Sequence, residues 1–277
     1  MRSASRACLG LLLAWAQPAA AWTPKLSECL SRDARRLIPR TLAQLMNQRE
    51  TQIAQELQRF PPELSAAVAR DLQQGGLDAE TLASLEAYAA EPVRLLKQQQ
   101  VGEGVVRLAG LARIPADLAD PALTAGPALP AGVPGQYYAF VEASLGKLPV
   151  TLEDPAALTL PRRELTRYWA GLVERSRPHA SVLRLELFRD GRVVDHRGLD
   201  FRSPVYGVAQ IAYSRAVTAI AATWSTLWRE ARGDMTRVPQ PRKLAPLDRG
   251  PQEPIGPQSE LLDVGLPRPA RAARNER

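Results

Sequence analysis

Between Ser203 and Gly233 the apolar residues Val205, Val208, Ala212, Ala216, Ile220, Trp224 and Leu227 recur at steps of three or four. That spacing keeps all of them on one face of an α-helix, which turns once in about 3.6 residues. Ser203-Pro204 supplies a hydroxyl cap and a proline suited to the first turn, and Gly233 supplies a stop. A stripe of this length, with Tyr213 and Trp228 beside it, must be covered by other helices. The chain is therefore predicted to be all-α, a multi-helix bundle in which this helix is central and Trp224 lies in the core. Ala209, Ala212, Ala216 and Ala219 would let neighbouring helices approach closely. Arg215 argues against a membrane span here, and no transmembrane span is expected once the N-terminal segment is removed.

The rest of the body reads largely as helix. Leu37, Ile38, Leu42, Leu45, Met46 and Ile53 keep the helical period and predict two helices broken near Pro39, with Pro61-Pro62 ending the run. A helix over Glu63 to Gln73 carries Leu64, Val68 and Leu72 and stops at Gly75-Gly76. Asp78 caps the next, through Leu82, Leu85 and Tyr88, with Pro92 permitting at most a kinked continuation. A short apolar stretch, Val105 to Leu111, follows Gly102 and Gly104. Residues 115–134, rich in Pro, Ala and Gly, read as an irregular crossing loop. Further helices are expected around Tyr137, Tyr138, Phe140 and Val141, and from Pro161 to Arg175. The period then changes: Leu183, Leu185 and Leu187 alternate with Arg184 and Glu186, and Asp190-Gly191 separates them from Val193 and Val194. Alternation around a two-residue Asp-Gly turn predicts an inserted β-hairpin near residues 182–197.

The two ends differ from the body. Arg2 and Arg6, the apolar run from Leu9 to Ala16, and Ala19 and Ala21 have the layout of a signal peptide over residues 1–21, with Trp22 first in the mature chain. The protein is accordingly expected to be exported, periplasmic or secreted, with one helical domain over 22–238. The segment 239–277 is dense in Pro, Gly and Arg, lacks aromatics, and is expected to be a disordered tail. Of the formal charge of +7, two belong to Arg2 and Arg6 and two to the tail, leaving +3 for the body. With no basic stripe interleaved with aromatics, no specific nucleic-acid partner is expected. Cys8 leaves with the signal, and Cys29, the remaining thiol, reads as a half-buried helix position.

The chemistry available is sparse. The sequence has 2 histidines, His179 and His196. His196 and Asp200 are spaced as metal ligands only if both lie on a helix, whereas the hairpin reading sets them on a strand and the loop after it. No Gly-rich phosphate loop, serine elbow or His-Glu-x-x-His motif is present. Trp22 is a candidate ligand through the amine that cleavage would free, and is expected to be replaceable without a large loss of stability unless metal is held there.

Two stretches resemble a known group. Ala21-Trp22 followed by Ala34-Arg35-Arg36-Leu37-Ile38-Pro39, and the late segment from Ser203-Pro204-Val205-Tyr206-Gly207-Val208-Ala209 through Ala212 to Thr218, Trp224 and Trp228, are similar to bacterial zinc-dependent phospholipase C proteins and their P1-nuclease relatives. The resemblance implies a helical fold and a zinc cluster held by the N-terminal Trp together with several His and Asp residues. Trp22 matches the first ligand, but no His lies between it and His179, and position 183 is Leu. The expectation is an exported protein on a phospholipase C-like scaffold, non-catalytic, with a binding or structural role towards an envelope component or a phospholipid surface. No cofactor is expected, or zinc if the resemblance extends to the site. The alternative is a metal-dependent phosphodiesterase, a hydrolase of phosphoester bonds in phospholipid or nucleic acid, with a reduced metal site.

Overall fold

The computed structural model describes residues 22–152, 154–236 and 243–244. The helices are α1 (Pro24–Ala34), α2 (Arg40–Asn47), α3 (Glu50–Leu57), α4 (Pro62–Gln74), α5 (Ala79–Lys97), α6 (Val101–Gly110), α7 (Arg113–Leu118), α8 (Pro121–Thr124), α9 (Val133–Ser144), α10 (Leu165–Ser176), α11 (Ala180–Leu187) and α12 (Pro204–Glu230). Two antiparallel strand pairs accompany them. β2 (Phe188–Arg189) pairs with β3 (Arg192–Val193), and β1 (Val150–Thr151) pairs with β4 (Lys243–Leu244). The fold is all-α, as the helical periods predict.

α12 is 27 residues long and starts as its sequence indicates: the Ser203 hydroxyl accepts from Val205 N–H at 3.2 Å and Pro204 occupies the first turn. The stripe expected on one face is only part of what it buries, since every residue from Ala212 to Trp228 is buried. The polar residues around its girth find local partners. Thr218 donates to the Ser214 carbonyl at 2.8 Å, Thr223 accepts from the Trp169 indole at 3.1 Å, and Thr226 donates to the Leu160 carbonyl at 3.0 Å. Arg215 donates to the Arg175 carbonyl at 2.8 Å, near the end of α10. Trp224 is completely buried. The helix ends at Glu230 and Arg232 takes the left-handed conformation at φ 62°; Gly233 follows where only glycine fits, because a Cβ there would lie 2.0 Å from Cε2 of Trp228. α1, α7 and α11 pack on α12, and among the described residues no helix is long and apolar enough to cross a membrane.

Three sequence expectations need correction. The run ending at Pro61 holds three helices, since the chain breaks at Pro39 and again between Asn47 and Glu50. The predicted crossing loop, 115–134, contains most of α7, all of α8 and the start of α9, and much of it is buried. Its prolines misled because they sit in first turns, where the missing N–H has no intrahelical role: Pro115 in α7, Pro121 in α8 and Pro134 in α9. The β-hairpin expected near residues 182–197 shrinks to 188–193. Leu183 and Leu187, four apart, are buried on one face of α11 while Leu185 is 71% exposed, so an apparent alternation was half a helical period. The turn itself is as expected, with Asp190 at φ 51° and Gly191 at φ 73°.

Asp78 caps α5 by accepting from Thr81 N–H at 2.7 Å, and Gly75 ends α4 at φ 116°. The helix continues through Pro92 to Lys97. The expected signal peptide, 1–21, lies outside the described residues. So does the expected tail apart from Lys243–Leu244, which pair with Val150–Thr151.

Candidate functional site

Trp22 is 4% exposed, with its indole turned into the interior. Nε1 donates to the Ala116 carbonyl at 2.8 Å, and the ring centroid lies 6.2 Å from Tyr137 and 6.1 Å from Tyr138. The next residue starts α1: Thr23 accepts from Leu26 N–H at 3.3 Å and donates to Glu142 of α9. The stretch Trp22-Thr23 thus ties the beginning of the described chain to α7 and α9 at once. This corrects the expectation that Trp22 would be replaceable at little cost.

Beside the aromatic cluster lie two buried carboxyl groups. Asp120 caps α8 by accepting from Ala122 N–H at 2.8 Å, and its other oxygen accepts from the Tyr138 hydroxyl at 2.7 Å. Its side chain has no exposed surface. Burial pushes its pKa up to about 7, with the Tyr138 hydroxyl and the Ala122 amide pulling the other way. Asp117, one turn earlier, is also raised by burial, to about 6, against the pull of Arg113, whose Nε donates to it at 3.3 Å. Burial, and then the charge of Asp120, raises both Tyr137 and Tyr138 well above the usual phenol range. The Tyr137 hydroxyl is buried without a hydrogen-bond partner. Near neutral pH this corner can hold or release a proton on Asp120, with Tyr138 donating to whichever form is present.

The other residues nominated from sequence sit elsewhere. His196 lies on the 3-10 turn His196–Gly198 that follows the hairpin. Its backbone N–H donates to Gln136 Oε1 at 2.9 Å and its Nδ1 lies 2.9 Å from the same oxygen, which assigns the ring proton to Nδ1. Asp200 accepts from the amides of Arg202 at 2.8 Å and Ser203 at 3.1 Å, shaping the entry to α12. The helix that would set His196 and Asp200 side by side as ligands is not there. His196 and Trp22 do meet one element in common, α9, at Gln136 and at Tyr137 and Tyr138.

Among the described residues no three His, Cys, Asp or Glu side chains gather where they could hold a metal ion. The described residues therefore do not supply the His and Asp side chains that would join the Trp22 amine in a zinc cluster of the kind the resemblance implies. The sequence did hold one signal for the acid corner: Asp120-Pro121 is a cap followed by a first-turn proline, the same pattern as Ser203-Pro204. Its closeness to Tyr138, 18 residues on, is a tertiary fact that no local pattern announces. Comparison of the chain with protein-family models, with curated proteins and with solved structures finds no match, so the likeness to the phospholipase C group rests on the quoted stretches alone.

Proposed function

We propose that this chain is an exported, non-catalytic helical protein with a binding or structural role in the cell envelope, built on a phospholipase C-like scaffold. The observation that carries this reading is that, among the described residues, no three His, Cys, Asp or Glu side chains gather where they could join the Trp22 amine around a metal ion. His196 and Asp200 support it too, since each holds the chain's own backbone or a neighbouring amide. Asp117 and Asp120, whose raised pKa values would suit acid–base work, are enclosed by protein.

The test is metal analysis of the purified exported form, together with assays on a phosphatidylcholine vesicle and on single-stranded DNA. The reading expects no stoichiometric zinc and no hydrolysis. Zinc near one or more per chain, with hydrolysis lost on chelation, would overturn it in favour of the phosphodiesterase. Mass spectrometry of the same sample checks export, and should find Trp22 first; a chain beginning at Met1 would refute cleavage.

A further inference from the structure

Asp120 is enclosed with no cation against it. Its side chain has no exposed surface, and among the described residues no Lys, Arg or His pairs with its carboxylate. Asp117, three residues earlier and buried too, holds the Arg113 guanidinium at 3.3 Å. With both carboxyls ionised the corner would bury two negative charges against one positive one, and a buried charge without a partner is costly. The phenols offset little of this. Tyr138 donates one bond to Asp120, at 2.7 Å, and the Tyr137 hydroxyl has no partner.

Other charges reach Asp120 less directly. The 3-10 turn Arg177–His179 meets the far end of α8, where Arg177 donates to the Thr124 carbonyl at 3.1 Å. α4, α10 and α11 also pack on α8 and carry Arg70, Asp71, Glu174, Arg175, Arg184 and Glu186, yet the largest charge acting on Asp120 is that of Asp117, of the same sign. Ionisation is thus opposed from within the fold, and an opening that admits water to the corner relieves it. Packing decides what can open. Trp22 and Thr23 are fastened by the indole bond to the Ala116 carbonyl at 2.8 Å, by ring contacts with Tyr137 and Tyr138, and by the Thr23 hydroxyl on Glu142, which Lys25 approaches to 3.9 Å. From Leu26 onward α1 is held in the core against α12. Two of the anchors of Trp22 adjoin the acid pair, since Ala116 precedes Asp117 and Tyr138 is the donor to Asp120.

We propose that Trp22-Thr23 is a proton-controlled latch, seated against α7 and α9 while the Asp120 carboxyl is neutral and freed when water enters and that carboxyl ionises. The sign follows from which state binds the proton. With the latch open Asp120 is solvated and takes its ordinary value of 3.8, whereas in the seated state burial holds it at about 7. Between those values the seated state keeps a proton that the open state has lost. Opening therefore grows as pH rises, by up to about tenfold per unit, and levels off above about 7. The latch places the first opening at one stretch of chain, and it holds whether or not the protein is catalytic.

Exchange of the Trp22 indole N–H with solvent deuterium reads the latch bond itself, followed by NMR on the full exported chain and corrected for the pH dependence of free indole. The Trp169 indole, bonded to Thr223 of α12 at 3.1 Å, is the reference for the core. Trp22 should be protected at least about tenfold less than Trp169, as a locally opening stretch is. Its protection should fall between pH 5 and about 7 and hold level from there to pH 8. In Asp120→Asn the fall should stop near pH 6, where Asp117 has titrated. Asp117→Asn removes the like charge and should bring the levelling point below about 7, which serves if the first variant does not fold. Equal protection of the two indoles would make the opening global and overturn the latch. So would Trp22 protection that ignores pH, or a fall that keeps its wild-type shape in the variants.

Discussion

The core around α12 and the corner around Trp22 both bury polar atoms, but the groups differ in what ionisation does to them. Along α12 the buried polar side chains are mostly hydroxyls that bond a carbonyl one turn back or on a neighbouring segment, as Thr218 and Thr226 do. Such groups are insensitive to pH. In the corner the buried groups are Asp117 and Asp120, and their protonation state sets what burial costs. The first region should therefore govern how stable the protein is, and the second how stability changes with conditions.

The largest effect expected is at Trp224. Truncating a fully buried aromatic to alanine costs about 3–5 kcal/mol, against a typical domain stability of about 5–15 kcal/mol. Trp224→Ala should be insoluble or unfold at markedly lower urea, and a melting curve like that of wild type would show α12 to be peripheral. Trp22→Ala should come next and in the same range, because it removes a buried ring and the indole donor to the Ala116 carbonyl, which keeps only the Ala119 amide at 3.2 Å. A mild effect there would separate the corner from the core.

A pH titration sharpens the comparison further. Asp120 at about 7 and Asp117 at about 6 both lie above the ordinary value of 3.8, so between about 4 and 7 the folded state binds more protons than the unfolded chain. Stability is then greatest at the acid end and falls as pH rises through that window. Between pH 5 and pH 8 the two shifts contribute about three units, a fall on the order of 4 kcal/mol at about 1.4 kcal/mol per unit. In Asp120→Asn the amide stays neutral and can donate to the Tyr138 oxygen, so most of the slope should vanish. Urea unfolding at pH 5 and pH 8 measures this, and a slope of opposite sign in wild type would mean that these carboxyls are not buried as described.

How far the sequence announces these two regions follows from element length. α12 runs for 27 residues, long enough to display a period, and Ser203-Pro204 marks its start. α7 and α8 have six and four residues, too few to repeat any pattern, so their prolines and alanines passed for loop. α11 misled for a related reason, since over eight residues the spacing of Leu183, Leu185 and Leu187 satisfies a strand's alternation as well as a helix's i,i+4 step. The partners of buried charges are less legible still. What distinguishes Arg35 from the equally buried Arg215 is the distance to acceptors on other elements: the Arg175 carbonyl lies 2.8 Å from Arg215, while Arg35 has nothing closer than 3.3 Å. Composition and spacing carry none of that.

The finest test compares neighbours in the chain. Tyr137 and Tyr138 are both buried on α9 and both touch Trp22, but Tyr138 donates to Asp120 at 2.7 Å whereas the Tyr137 hydroxyl has no partner. Tyr138→Phe leaves an Asp120 oxygen unsatisfied in the interior, which costs about 1–3 kcal/mol, and more at pH 8, where the carboxylate is ionised, than at pH 5. Tyr137→Phe removes only a hydroxyl that was already desolvated without a bond in return. It should change stability by less than about 1 kcal/mol, with the sign towards stabilisation, and leave the pH slope as it was. A loss at Tyr137→Phe as large as that at Tyr138→Phe would mean that the Tyr137 hydroxyl has a partner, such as an ordered water shared with Asp120. The corner would then be a connected polar network rather than one hydrogen-bonded pair beside an idle group.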